Sequence, residues 1–223
     1  MPEPRGSSFV IAVDGAAASG KGSIAARLAK HYGLPHLDTG LLYRRVGVAL
    51  LRAGNELSDE GAAEAAAGAL DLGSLSDPEL TSGPAGEAAS RVAAIPSVRA
   101  ALLKLQRDFA QRPGGAVLDG RDIGTVIAPN APAKLFMDAS PEVRARRRWL
   151  QTSARGDARS LEETLEDLKR RDARDAGRAD APMRRAPDAV LLDTTEMSID
   201  AAFDEALRHV EQARRRWSAS QGS

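Results

Sequence analysis

The chain has 223 residues, enough to bury one sizeable core, and its 31 basic and 31 acidic residues cancel, so no overall field draws it to nucleic acid or to a membrane surface. It contains no cysteine, which excludes disulfides and thiolate metal sites and suits a reducing cytoplasm. The opening MPEPRGSS is short and polar, and no stretch approaches the roughly 18 apolar residues of a spanning helix, so the expectation is a soluble, cytoplasmic protein.

Taken in chain order, FVIAVDG (Phe9 to Gly15) is a β-branched apolar run ended by glycine and reads as a strand buried on both faces. Helical spacing follows over residues 20–32, then LPHLD ends a second short strand. TGLLYRRVGVALLRAG restarts the helical period and stops at Gly54, and an alanine-rich helix is expected from about Asp59 to Leu70. Asp71 to Glu87 is rich in Gly, Ser and Pro and reads as a loop or a small irregular excursion. Two helices split at Pro96 come next, the second with Val98, Leu102, Leu105 and Phe109 on one stripe. GAVLDG, AKLFMDAS and DAVLLDT are three more buried strands, with helices at about 140–153, 160–176 and 198–216. Short apolar strands alternating with helices predict an α/β fold with a parallel sheet and crossover helices.

The stretch DGAAASGKGS, residues 14–23, lies between the first strand and the first helix and has the shape of a phosphate-binding loop. Gly15 and Gly20 permit backbone angles that turn several N–H groups toward one anion, and the helix that follows adds the positive end of its dipole. Lys21 supplies a point charge for the β and γ phosphates. The plain alternative is a glycine-rich turn, which the lysine in register argues against. The usual Ser or Thr after the lysine is replaced by Gly22, and the hydroxyl moves on to Ser23.

This GKGS pattern resembles the loop of nucleoside monophosphate kinases. The resemblance implies an ATP site over Gly15, Ala16, Ala17, Ala18, Ser19, Gly20, Lys21, Gly22 and Ser23. It also implies Mg²⁺ held largely by nucleotide phosphates and water, which that reluctantly dehydrated ion tolerates. Ser23 and Asp119 are then its protein groups, mostly in the outer shell; the bland reading of Asp119 is a turn residue after a strand.

Four further stretches narrow the likeness. LDTGLLYRR resembles the D-[ST]-G-x-x-Y-R segment of cytidylate kinases, with Asp38, Thr39, Gly40, Tyr43 and Arg44 in place. AASRVAAIPSVR supplies Ser90 and Arg99; DGRDIGTVIAP supplies Asp119, Arg121, Asp122 and Thr125; RRDARDAGR supplies Arg171, Asp172, Arg174, Asp175 and Arg178. The likeness runs from about Phe9 to Arg216 and implies a P-loop NTPase fold of three α/β/α layers in a single domain, 1–223. Within that domain an acceptor-binding segment is expected at about 55–97 and a short Arg-rich lid at about 144–160.

The activity implied is transfer of the γ-phosphoryl group of ATP to CMP, and to dCMP, by a monomer that binds neither nucleic acid nor membrane. Thr39, Tyr43, Arg44, Ser90, Arg99, Arg121, Asp122, Arg171, Asp175 and Arg178 match the acceptor site. Of these, Arg44, Arg121 and Arg178 match a phosphate clamp, and Arg171 and Asp175 the ribose contacts. Asp122 and Ser90 suit cytosine's amine and Arg99 its acceptors. Uracil would set a carboxylate against a carbonyl, and each such buried mismatch costs about 1–3 kcal/mol. Lys21, Arg121 and Arg178, with Arg147 and Arg148 from EVRARRRW, are the expected catalytic cations.

By spacing alone, Arg171, Arg174 and Arg178 share one helix face beside a Leu161–Leu165–Leu168 stripe, an arrangement that also fits a solvated face of Arg–Asp pairs. The rival activities are a kinase of the same fold acting on UMP, AMP or a small metabolite, and an Arg-rich nucleic-acid-dependent ATPase. A GTPase switch lacks support because no N-K-x-D stretch occurs. Two departures from the family pattern stand out. LGSLSDPELTSGPAG is too short for the small β-rich insert usual ahead of the AAS helix, and Thr39 takes the place of the commoner serine. The three histidines, His31, His36 and His209, are scattered and expected to be surface or structural residues.

Overall fold

The structure is a computed structural model that describes residues 8–154, 156 and 158–221; positions 1–7, which hold most of the polar MPEPRGSS start, lie outside it, as do 155 and 157 of the expected lid. The chain forms two compact units. The first comprises residues up to Leu37, Gln106–Ser140 and residues from Met183 on; the second comprises Asp38–Leu105 and Pro141–Pro182.

The first unit carries the parallel sheet. Strands β1 (Phe9–Gly15), β2 (His36–Asp38), β3 (Gly115–Gly120), β4 (Ala133–Asp138) and β5 (Val190–Asp193) lie in the order β2-β3-β1-β4-β5. The predicted strands are all present, and β1 and β3 are buried along their whole length, as continuous apolar runs require. From β1 the chain leaves toward β2, and from β4 it leaves toward β5, so the direction of winding reverses between these two neighbours. Parallel α/β sheets bind ligands outside the carboxyl ends of the strands at such a point.

One sheet face packs Phe9, Ile11, Val13, Leu135 and Met137 against Ile24 and Leu28 of α1 (Lys21–Tyr32) and Ala206 and Val210 of α8 (Ile199–Gln221). Helix α8 runs five residues past the expected end at 216 because Trp217 still has a partner, the Phe9 ring 5.2 Å away. A single π turn over Ile123–Ile127, which apolar spacing did not reveal, follows β3.

The second unit is helical: α2 (Thr39–Arg52), α3 (Glu60–Gly68), α4 (Gly83–Val92), most of α5 (Pro96–Ala110), α6 (Pro141–Ser153) and α7 (Leu161–Ala176). The expected loop at 71–87 holds two short 3₁₀ turns, Leu72–Ser76 and Pro78–Thr81, and no strand among its described residues. Helix α4 starts inside that segment, at Gly83. The Ser82 side chain caps it by accepting from the Ala85 N–H at 3.2 Å, and Pro84 sits in the first turn, where its missing N–H costs nothing. On α7 the expected leucine stripe is displaced. Leu161 is exposed, and the buried line runs through Thr164, Leu168 and Asp175. A polar residue continues the stripe because it has buried partners of its own.

Helices α2 and α4 meet at Gly47, where an added Cβ would lie 2.6 Å from the Ala88 Cβ. Gly47→Ala is expected to destabilise by about 1–3 kcal/mol, because overpacking outweighs the roughly 1 kcal/mol gained in helix propensity. Gly68→Ala, which meets nothing within 4 Å, is expected to be neutral or stabilising. Chemical denaturation of the two variants checks the contrast.

Candidate active site

Strand β1 ends in Gly15 with φ +147°, and a Cβ there would lie 2.0 Å from the Met137 carbonyl oxygen of β4, so no other residue fits. The chain then turns through Ala18 at φ 60° and Gly20 at φ 91°, both left-handed. Gly20 caps α1 without any side-chain hydrogen bond, which leaves the helix start open to an anion. The loop is tied from behind: the Thr194 hydroxyl lies 3.1 Å from both the Ser19 and Asp138 carbonyl oxygens, and the Thr194 N–H donates to Asp138 at 2.8 Å. The Ser19 hydroxyl is buried with no hydrogen-bond partner. Ala16 and Ala17 are buried, and Ser23 is exposed in the first turn of α1.

Beside that turn stands Asp119, at the end of β3 and 1% exposed. Its Oδ1 lies 3.7 Å from where a Cβ on Gly22 would sit, and its Oδ2 pairs with His36 Nε2 at 2.8 Å. His36, expected to be a surface or structural residue, is half-buried and takes a structural partner here. Its partner comes from another strand 83 residues away, which no local spacing could reveal.

The residues after Asp119 are held by a carboxylate on β1. Asp14 accepts from the Ile123 N–H through Oδ1 at 2.8 Å and from the Gly124 N–H through Oδ2 at 2.7 Å. Asp122, 4% exposed, precedes these two amides, and its carbonyl accepts from the N–H groups of Val126 and Ile127 in the π turn. Arg121 is half-buried, and Thr125 has a buried hydroxyl with no partner. Burial lifts Asp14 from the ordinary 3.8 to about 7 against the pull of the Gly124 and Ile123 N–H groups; the charge of Asp122 lifts it further and that of Arg121 opposes.

In the second unit, Thr39 opens α2 and is buried, while the Asp38 side chain caps that helix from the Gly40 N–H at 2.9 Å. Arg44 donates to the Leu80 carbonyl at 2.7 Å and lies near Arg171 at Gly86 on α4, whose added Cβ would sit 3.6 and 3.5 Å from the two guanidinium groups. Arg99 is 6% exposed, stands over the Tyr43 ring at 5.8 Å and pairs with Asp180 at 3.6 Å. Asp175, 1% exposed, accepts from the Ser90 hydroxyl at 3.3 Å and forms an ion pair with Arg178.

Of the four arginines in EVRARRRW, Arg144 is buried and bound to Asp172 at 2.7 Å, joining α6 to α7. Arg146 is exposed, and Arg147 and Arg148 are half-buried. Arg148 and Arg171 line a cleft of about 300 Å³ together with Arg159, a cation inside the expected lid that the sequence reading passed over. Arg159 is fixed through its carbonyl by the Trp149 indole N–H at 3.1 Å, and it also lines a neighbouring cleft of about 700 Å³.

Residues 11–212 match the family profile described as cytidylate kinase. The chain belongs to the cytidylate kinase family. A cytidylate kinase of Caulobacter sp. strain K31 is 62% identical over 96% of this chain and its own full length. One from Methylocella silvestris is 57% identical over 92% of this chain and 95% of that protein. Among solved structures, a gluconokinase from Sinorhizobium meliloti superposes with a TM-score of 0.52 at 17% identity, covering 96% of this chain and 99% of that one. That likeness speaks for the fold alone, an α/β architecture with a parallel sheet as expected. No helix among the described residues is long and apolar enough to cross a membrane.

The raised Asp14 value has a stability consequence. The folded chain holds the Asp14 proton more tightly than the unfolded chain, so this group's contribution is complete below about pH 3.8 and is lost as pH rises through about 7. Between pH 5.5 and 7.5 the wild type is expected to lose about 2 kcal/mol relative to Asp14→Asn, read from urea midpoints at the two pH values. A gap that does not move with pH would refute the assignment.

Proposed function

We propose that this chain transfers the γ-phosphoryl group of ATP to CMP, and to dCMP, as a cytoplasmic monomer. The observation that carries the reading is the uncapped helix start behind Gly15 and Gly20, in a chain whose family is that of the cytidylate kinases. In the reaction the bond between the γ-phosphorus and the β,γ-bridging oxygen breaks, its electron pair leaves on ADP, and an oxygen of the CMP phosphate bonds to the phosphorus to give CDP. Such transfer is mostly positioning and charge neutralisation.

The loop amides from Gly15 to Ser23 hold the donor phosphates, and Lys21 neutralises charge on them. Arg44, Arg121 and Arg178 hold the acceptor phosphate; Arg147 and Arg148 serve the lid, at about 144–160. Thr39 and Tyr43 line the acceptor site together with the acceptor-binding segment at about 55–97. Arg171 and Asp175 take the ribose hydroxyls. Asp122 and Ser90 accept from cytosine's amine, and Arg99 donates to its N3 and O2.

For Mg²⁺ the residues fit an ion that keeps most of its water. The exposed Ser23 hydroxyl and the Asp119 carboxylate offer oxygen donors, and among the described residues no cluster of three or more His, Cys, Asp or Glu side chains gathers to enclose a metal. When bound, the ion neutralises charge on the phosphates. Asp119 Oδ2 is bonded to His36, and Oδ1 lies on the side of the first turn of α1.

A coupled assay across monophosphates tests the reading: kcat/KM for CMP is expected to exceed that for UMP about a hundredfold or more, from two buried polar mismatches. Equal rates with both would overturn the base assignment. Asp122→Asn should bring the ratio to within about tenfold while the KM for ATP holds. Lys21→Ala should cut kcat by about 10²–10³-fold with an unchanged melting temperature; full activity would remove the loop from the mechanism.

A further inference from the structure

Asp14 is a costly residue with no role in the motifs above. It is 4% exposed, and no basic side chain forms an ion pair with it among the described residues. A buried carboxylate without a counter-ion persists only where its hydrogen bonds do something an apolar side chain cannot. Here each oxygen takes one of two consecutive backbone N–H groups, those of Ile123 and Gly124. Two acceptors on one rigid carboxylate fix both the place and the tilt of that stretch of backbone.

The stretch begins immediately after Asp122. The Asp122 carbonyl and the Ile123 N–H belong to one peptide group, held by the π turn through its oxygen and by Asp14 through its N–H, so the backbone on the carboxyl side of Asp122 is fixed in place and plane. The approach is close: a Cβ on Gly124 would sit 3.3 Å from Asp14 Oδ2 and 3.2 Å from Cδ of Lys134. The same residue precedes Gly15, where the phosphate loop leaves β1.

We propose that Asp14 is a positioning residue that aims the Arg121–Asp122 segment, so that discrimination between CMP and UMP depends on its two backbone contacts. The inference rests on the reading of Asp122 as the group that recognises cytosine. An apolar or amide residue would keep the strand; the amide of asparagine would turn an NH₂ toward one of the two N–H groups.

The test compares Asp14→Asn with wild type by amide hydrogen exchange and by steady-state kinetics with CMP and UMP. Exchange at Ile123 and Gly124 should quicken at least about tenfold, and the CMP-over-UMP ratio of kcat/KM should fall about tenfold or more, chiefly through the KM for CMP. The KM for ATP should stay within about threefold, as expected of a loop whose own contacts are intact. A purely structural Asp14 would lower the melting temperature and leave the ratio alone.

Unchanged exchange at the two amides overturns the proposal whatever the kinetics. So does an unchanged ratio in Asp14→Asn when Asp122→Asn does change it. If Asp122→Asn also leaves the ratio unchanged, the base-recognition reading fails and the proposal falls with it. Should Asp14→Asn not fold, Gly124→Ala crowds the same contact from the other side, and the same outcomes decide.

Discussion

Strand β4 runs beside β1 so closely that the Met137 carbonyl oxygen occupies the place a Cβ at residue 15 would need. The ladder between these strands and the phosphate loop cannot both exist with any other residue there, because moving the carbonyl away would break the pairing of Gly15 with Met137. From this constraint the rest of the loop follows. The backbone leaves the sheet in a conformation reserved for glycine, passes through two more left-handed residues and enters α1 without a side-chain cap hydrogen bond. The donors offered at that helix start are therefore main-chain groups set by the sheet, and a phosphate bound there would need no reorganisation of them.

The neighbouring strands add their carboxylates to the same end of the sheet. Asp14 on β1 faces amides, whereas Asp119 on β3 faces an imidazole and the turn at Gly22. Position 22 carries no hydroxyl, but a protein oxygen, that of Asp119 one strand over, stands beside it at the first turn of α1.

The sheet was legible from apolar runs, and all five strands lie where those runs predict. The turn from β1 into α1 was legible too, because its glycines sit where the backbone takes positive φ. What escaped was whatever depends on partners distant in the chain. His36 and Asp119 are 83 residues apart, and Asp14 and Gly124 are 110 apart, so neither pair leaves a periodic signal. From EVRARRRW the sequence singles out Arg147 and Arg148 and gives Arg144 no role, because its partner Asp172 lies on another helix. The start of α4 hid among Gly, Ser and Pro because a capped first turn tolerates all three, and Leu161 misled because the buried stripe of α7 passes into polar residues that satisfy one another.

Asp175 is where such polar residues converge. Asp175 Oδ1 already accepts from Ser90 and pairs with Arg178 in a nearly dry setting, so the carboxylate is occupied before any guest arrives. A molecule that takes over this oxygen must return to serine and arginine what they give up. Arrival there is an exchange of partners between closely matched bonds, and its net free energy is the small difference between two large quantities.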